Sequence, residues 1–183
     1  ADDYRPRTIC TDWNQAEATL KNQFPEIKSI NHSLLGIDIP VLIIAFQKDR
    51  TGHFRSLHNQ LAKQIELGGI KMVLYVEHTV DPSDLSTALW RFCNNLDPKR
   101  DSELVRIDSM DGISYDACLG LDGTRKTKEF DGFQRDWPNI IVANEQTIQA
   151  VDAKWEQLGL GPFLPSPSLK FKAQQYGEEA VVS

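Results

Sequence analysis

Four acids frame one apolar stretch in "DPSDLSTALWRFCNNLDPKRD", residues 81–101, with Asp81 and Asp84 before it and Asp97 and Asp101 after it. Paired carboxylates can act as general acid and base when they converge on one cavity. These four lie at opposite ends of a helical pattern, and there they serve the helix. Asp81 can cap its start, Pro82 suits the first turn, Asp84 can reach back, and Asp97-Pro98 stops it, because the residue before proline avoids helical angles. The histidines promise less. His53 and His58 are five residues apart, roughly 140° around a helix, so they cannot chelate one metal from one face. His32 and His78 fall at or near strand ends without a carboxylate or cysteine at ligand spacing, so all four rings read as satisfied or solvent-facing.

Two loops carry further chemical interest. "KDRTGH", residues 48–53, joins a buried strand to a helix N-terminus, where free N–H groups and the helix dipole favour an anion. With neither G-x-G-x-x-G nor a P-loop lysine, it reads as a helix start beside strand ends. "GLDGTRKTKEFDGFQRDWP" sets Asp122, Thr124, Arg125, Lys126 and Lys128 beside glycines, which suits either a ligand or subunit contact or a solvated loop. No G-x-S-x-G elbow occurs, and no cysteine stands where a His and a helix N-terminus could activate it. Cys93 falls on an apolar face and is expected in the core.

The elements that must position these residues follow from periodicity. "TDWNQAEATLKNQF" places Trp13, Ala16, Leu20 and Phe24 on one helical face, with Thr11 or Asp12 as N-cap and Pro25 as a stop. "EIKSINHSLL" alternates and pairs with the buried run "IPVLIIAFQ". "TGHFRSLHNQLAKQIELGG" sets Phe54, Leu57, Leu61 and Ile65 on one face and ends at Gly68-Gly69, and "IKMVLYVEH" is the next buried strand. The roughly twenty residues between these strands suit a parallel crossover. The unit then repeats, with residues 81–101 as helix and "ELVRIDSM" as strand; on that helix Leu85, Ala88, Leu89, Phe92, Cys93 and Leu96 form one continuous apolar face.

Residues 111–138 read as a long irregular segment rich in Asp and Gly, which in a compact domain tends to be functional or interfacial. "NIIVA" is a short strand, and "NEQTIQAVDAKWEQLGLG" a helix capped by Asn144 and ended by Gly159. The expected fold class is α/β, a mainly parallel mixed sheet with helices on both faces in three layers, as a single domain over residues 1–163. Residues 164–183 are expected to be a tail, loose or docked on a neighbouring subunit.

Composition narrows the partners. With 183 residues, 40% of them hydrophobic and 25% charged, the chain is of one-domain size and ordinary globular composition. A net charge of −6 argues against nucleic acid and anionic lipid surfaces, which recruit clustered Lys and Arg. Three widely spaced cysteines without a Cys-x-x-Cys pair fit a reducing cytoplasm, and no run of eighteen apolar residues offers an integral membrane segment. The opening at Ala1 is read as a trimmed initiator methionine, a removed leader or a piece cut from a longer protein.

Three stretches together carry a resemblance. "VDPSDLSTALWRFCNNLDPKRD", "KDRTGH" and "LGLDGTRKTK" resemble, in order and spacing across residues 40–158, the C-terminal part of UbiD-type decarboxylases. The resemblance implies a carboxy-lyase that uses prenylated FMN and a metal ion to remove carboxylate from aromatic or unsaturated acids, often in ubiquinone or menaquinone synthesis. The flavin ligands, metal ligands and proton-handling residues of such enzymes lie in preceding domains, so the resemblance implies no catalytic and no metal-binding residue in this chain. The C-terminal domain mediates homo-oligomer contacts in that family, and Lys126 matches its Asp-x-Thr-x-Lys lysine, the one candidate for the cofactor side. Gly123 stands where the family usually has Ala, Asn95 where an Arg commonly precedes the Asp-Pro, and Cys118 where Lys is frequent. The rival reading is a free-standing α/β module binding a nucleotide or phosphate near Thr51 to Phe54.

Overall fold

A computed structural model of the chain describes residues 10–108, 115–134, 137–176 and 181–182. They fall into two compact units, residues 1–136 and 137–183. The first unit is built on a five-stranded mixed sheet in the order β1-β2-β3-β5-β4. Its strands are β1 (Ile27–Asn31), β2 (Val41–Phe46), β3 (Met72–Glu77), β4 (Ser102–Asp108) and β5 (Tyr115–Asp122). β2, β3 and β5 run parallel in the centre, while β1 and β4 pair antiparallel at the edges. The fold is therefore the expected α/β class.

Two apolar layers flank the sheet. On one face α1 (Trp13–Gln23) and α2 (His53–Leu61) bury Trp13, Leu20, Phe54, Leu57 and Leu61 against Leu42, Ile44, Val73 and Tyr75. On the other, α3 (Leu85–Asn95) packs Ala88 and Phe92 against Ile43, Ala45, Leu74 and Val76. Alternate residues of β2 feed opposite layers, as a pleated strand covered on both faces requires. Asp12 caps α1, its Oδ1 accepting from Gln15 N at 3.1 Å.

Four details of the first unit differ from the sequence reading, and in the second unit the one helix read from Asn144 to Gly159 is two. The parallel neighbour of β3 is β5, which lies inside the stretch read as irregular; "ELVRIDSM" supplies β4, an antiparallel edge strand. β5 hides because a central strand here contains Asp116, Gly120 and Asp122. Gly120 is required by packing, since a Cβ there would stand 2.5 Å from the His58 ring. Of that irregular stretch, residues 111–114 and 135–136 lie outside the described residues, as do Ser109 and Met110 of "ELVRIDSM". α2 stops at Leu61, and Ile65 lies beyond it, 84% exposed in a short 3₁₀ turn. Asp84, not Asp81, caps α3, accepting from Thr87 N at 3.1 Å, while Asp81 holds a turn by accepting from Ser83 N. The inward face of α3 is also rotated from the apolar stripe: Thr87, Arg91 and Asn95 are buried, whereas Leu89 and Cys93 are exposed. Cys93 is thus not core, because buried charges at the strand ends claim the polar side of α3.

Between the units' boundary and β4, the short α4 (Lys128–Asp131) follows β5. The second unit contains β6 (Val142–Ala143) paired parallel with β7 (Val181–Val182), and α5 (Glu145–Asp152), α6 (Trp155–Leu158) and α7 (Ser168–Phe171). Asn144 caps α5 and Gly159 ends α6 at φ 63°, a left-handed conformation that favours glycine. No helix among the described residues is long and apolar enough to cross a membrane.

Candidate functional site

The central strands all finish in charge at one end of the sheet. Lys48 follows β2, Glu77 closes β3 and Asp122 closes β5. Carboxyl ends of parallel strands are where open α/β sheets place their ligands. Asp122 Oδ2 lies 3.0 Å from Lys126 Nζ and 3.6 Å from Lys48 Nζ, while its Oδ1 accepts from Thr124 N at 2.9 Å. Lys126 Nζ also donates to the Asp122 carbonyl at 2.7 Å and stands 3.4 Å from Asp101 Oδ1. Lys48 Nζ donates to Asp131 Oδ1 at 2.7 Å and to the Arg125 carbonyl at 3.2 Å. Arg100 closes the set with two bonds to Asp101, from Nε at 2.8 Å and Nη2 at 2.7 Å. Three acids thus face three cations, a locally neutral lattice. Burial alone would raise the Asp122 carboxyl, but Lys126, Lys48 and the Thr124 bonds outweigh it and hold it below the ordinary range.

Lys126, the candidate for the cofactor side, is 1% exposed and engaged on every side named above. The framing acids also have structural partners. Asp97 Oδ1 accepts from Lys99 N and Arg100 N, which lowers its pKa, and Asp101 Oδ2 accepts from Asp97 N at 2.8 Å. A second buried pair, Arg91 Nη2 to Glu77 Oε2 at 2.9 Å, ties α3 to β3, and Glu77 Oε1 accepts from Arg125 N at 3.1 Å.

The histidines are largely satisfied, as their spacing suggested. His58 Nε2 is 3.1 Å from the Cys118 carbonyl, which can only accept, so the proton sits on Nε2 and Nδ1 accepts from the Tyr75 hydroxyl at 2.9 Å. Burial pushes His58 below its usual value and Tyr75 well above its own. His53, buried at the start of α2, stands 3.1 Å from Glu26 Oε1 and 3.0 Å from Asp49 Oδ1. His32 stacks on Trp13 at 5.6 Å between centroids. Among the described residues no three His, Cys, Asp or Glu side chains converge on a metal position.

A cleft of about 270 Å³ opens at this end, between the start of α2 and α4, lined by Lys48, Thr51, His53, Arg55, Arg100 and Asp131 among others. It is smaller than the roughly 300–1,000 Å³ of small-molecule sites. Its cations are already paired, Arg55 with Glu103, Arg100 with Asp101 and Lys48 with Asp131. A wider depression of about 770 Å³ beside α1 is lined by Asp12, Trp13 and His32 and carries no Lys or Arg. Neither fits a flavin phosphate together with its ring system.

The profile of the 3-octaprenyl-4-hydroxybenzoate carboxy-lyase C-terminal domain matches residues 11–124, the stretch from the cap of α1 to the end of β5. The chain belongs to that UbiD C-terminal domain family. An uncharacterized protein of Archaeoglobus fulgidus is 25% identical over 146 residues, which cover 76% of this chain and 30% of that protein. Another, from Aeropyrum pernix, is 25% identical over 150 residues, 74% of this chain and 31% of that one. The vanillic acid decarboxylase of Sedimentibacter hydroxybenzoicus in its closed form shares the fold, with a TM-score of 0.58 and 15% identity over 79% of this chain and 31% of that chain. The chain therefore spans about a third of the length of the curated relatives it matches.

Within this UbiD-type domain, two of the three residues read as departures, Gly123 and Asn95, meet under α3, while the third, Cys118, lies in the opposite apolar layer. A Cβ at Gly123 would lie 2.3 Å from Phe92 Cδ2 and 2.9 Å from Phe92 Cα, so backbone would have to move to admit alanine. Asn95 Nδ2 donates to the Gly123 carbonyl at 2.9 Å, a bond buried under α3. Cys118 is fully buried in the α2 layer, with its carbonyl taken by His58. Sequence reasoning missed Lys48 as a member of the lattice and Glu77 as the partner of Arg91. Their signal was present, since Glu77 closes an otherwise apolar strand and Lys48 follows another by two residues.

Proposed function

We propose that this chain is the C-terminal assembly domain of a UbiD-type carboxy-lyase, an enzyme that decarboxylates an aromatic or unsaturated acid without oxidation, in ubiquinone or menaquinone synthesis. The observation that carries this reading is the family match over residues 11–124, the same residues that build the sheet and most of its charged end. The charged side chains there serve one another, which supports a scaffold in preference to a reactive centre. Prenylated FMN and the metal ion then belong to the preceding domains of the longer protein, and the isolated chain is inactive. Its partners are those domains and further copies of itself, in the cytoplasm. Leu89, Trp90 and Leu104, apolar yet 42%, 45% and 54% exposed on α3 and β4, support such a contact. Lys126 remains the one residue assigned to the cofactor side.

The test combines flavin titration with sedimentation of the purified chain. Self-association in the micromolar range without quenching of FMN fluorescence is expected. A monomer that binds FMN would instead identify a free-standing nucleotide module.

A further inference from the structure

The stretch from Gly123 to Gly132 is fastened in an unusual way. None of its residues belongs to either apolar layer. Its ties to the strand ends are polar: Lys48 Nζ to the Arg125 carbonyl and Asp131, Arg125 N to Glu77, and Thr51 Oγ1 to the Glu129 carbonyl at 3.4 Å. Gly132 takes φ 62° with open space around its Cα, a backbone setting that glycine adopts at little cost and other residues resist. Between these ends α4 is a single turn, held by its own Thr127 cap and by Asp131. Inside the stretch lies Lys126, whose amine points back to Asp101 and Asp122 beneath it.

We infer that residues 123–132 form a strap, latched shut on the strand ends by Lys48, that keeps the Lys126 amine in store. Lys48 lies just after β2, outside the strap, and spans to two points on it while also facing Asp122. Breaking this latch removes the cation shared by the strap and the strand end. The apolar layers are untouched, so the strap opens as a local unit with the sheet still folded. Opening widens the cleft, which Phe130 and Asp131 wall on that side, and turns Lys126 from a covered counter-ion into an accessible amine. This inference deepens the assignment of Lys126 to the cofactor side and rests on that reading for its purpose; the mechanics stand on this chain alone.

The test uses the whole chain with Lys48→Met, Lys48→Arg as the conservative control, and Asp131→Asn, which cuts the latch from the strap side. Amide hydrogen exchange is followed by mass spectrometry for residues 124–131 and for β2 and β3, together with acetylation of Lys126 by a water-soluble amine reagent. Removing one partner of a part-buried ion pair should speed strap exchange at least about tenfold. The same two variants should make Lys126 reactive and leave β2 and β3 protected, whereas Lys48→Arg, which keeps the cation, should behave as the unaltered chain. Exchange that stays unchanged in both latch variants, exchange that rises in the strap and the strands together, or Lys126 that stays unreactive would each overturn the strap. Flavin titration and sedimentation judge the assembly reading separately, so either idea can fail without the other.

Discussion

Gly123 is held to its small size from two directions. Phe92 of α3 approaches its Cα, and Asn95 one turn later bonds its carbonyl. Gly123→Ala should cost about 1–3 kcal/mol through overpacking, read as a lower urea midpoint at unchanged slope. Asn95→Leu should cost a similar amount, roughly 1–3 kcal/mol, by leaving that buried carbonyl unpaired. The two effects should fall short of additive when combined, since they share one contact. His58 gives a pH dependence. Its pKa in the fold lies below 6.5, so the unfolded chain takes up the proton first as pH falls. Stability is full above about 6.5 and declines as pH drops from there through the folded value. Asp122 adds a separate window. Its carboxyl is held below 3.8, so its contribution persists above that value and is lost only on further acidification. Urea unfolding from pH 8 to 3 should show the His58 step and the onset of the Asp122 loss, and His58→Gln should abolish the first alone.

At the scale of elements, α3 shows what the sequence could and could not reveal. Its stop before Asp97-Pro98 and its acid-rich start were legible, because caps and proline leave local marks. Which acid does the capping was not, since Asp81 and Asp84 are equally suitable residue types and only the backbone path separates them. Asp84→Ala should destabilise by about 1 kcal/mol, whereas Asp81→Ala should stay within about 0.5 kcal/mol, measured by thermal and chemical denaturation. The rotation of α3 was hidden for another reason. A stripe of Leu, Phe and Cys outlines an apolar face, but Arg91 and Asn95 turn inward to meet Glu77 and the Gly123 carbonyl, partners 14 and 28 residues away. β5 escaped notice likewise, because Gly120 answers to the distant His58 ring and Asp122 to Lys48 and Lys126. Lys126 was legible as a motif lysine, yet its burial was not, since that depends on Asp101 from before β4.

At the scale of the whole molecule, a scaffold-like charge lattice sits in a chain that matches only 30% and 31% of the length of two relatives. Placing Glu on the outer face of α3, as Trp90→Glu, should weaken self-association at least about tenfold if that face meets another copy, with the melting temperature little changed; sedimentation across a concentration series reads it. The central claim is that this domain supports the decarboxylase without performing its chemistry. Its most direct test is carbon dioxide release from a carboxyl-labelled aromatic acid by the purified chain supplied with prenylated FMN and a divalent metal. The account predicts release no faster than the cofactor and metal give without protein. Sustained turnover by this chain alone would contradict it.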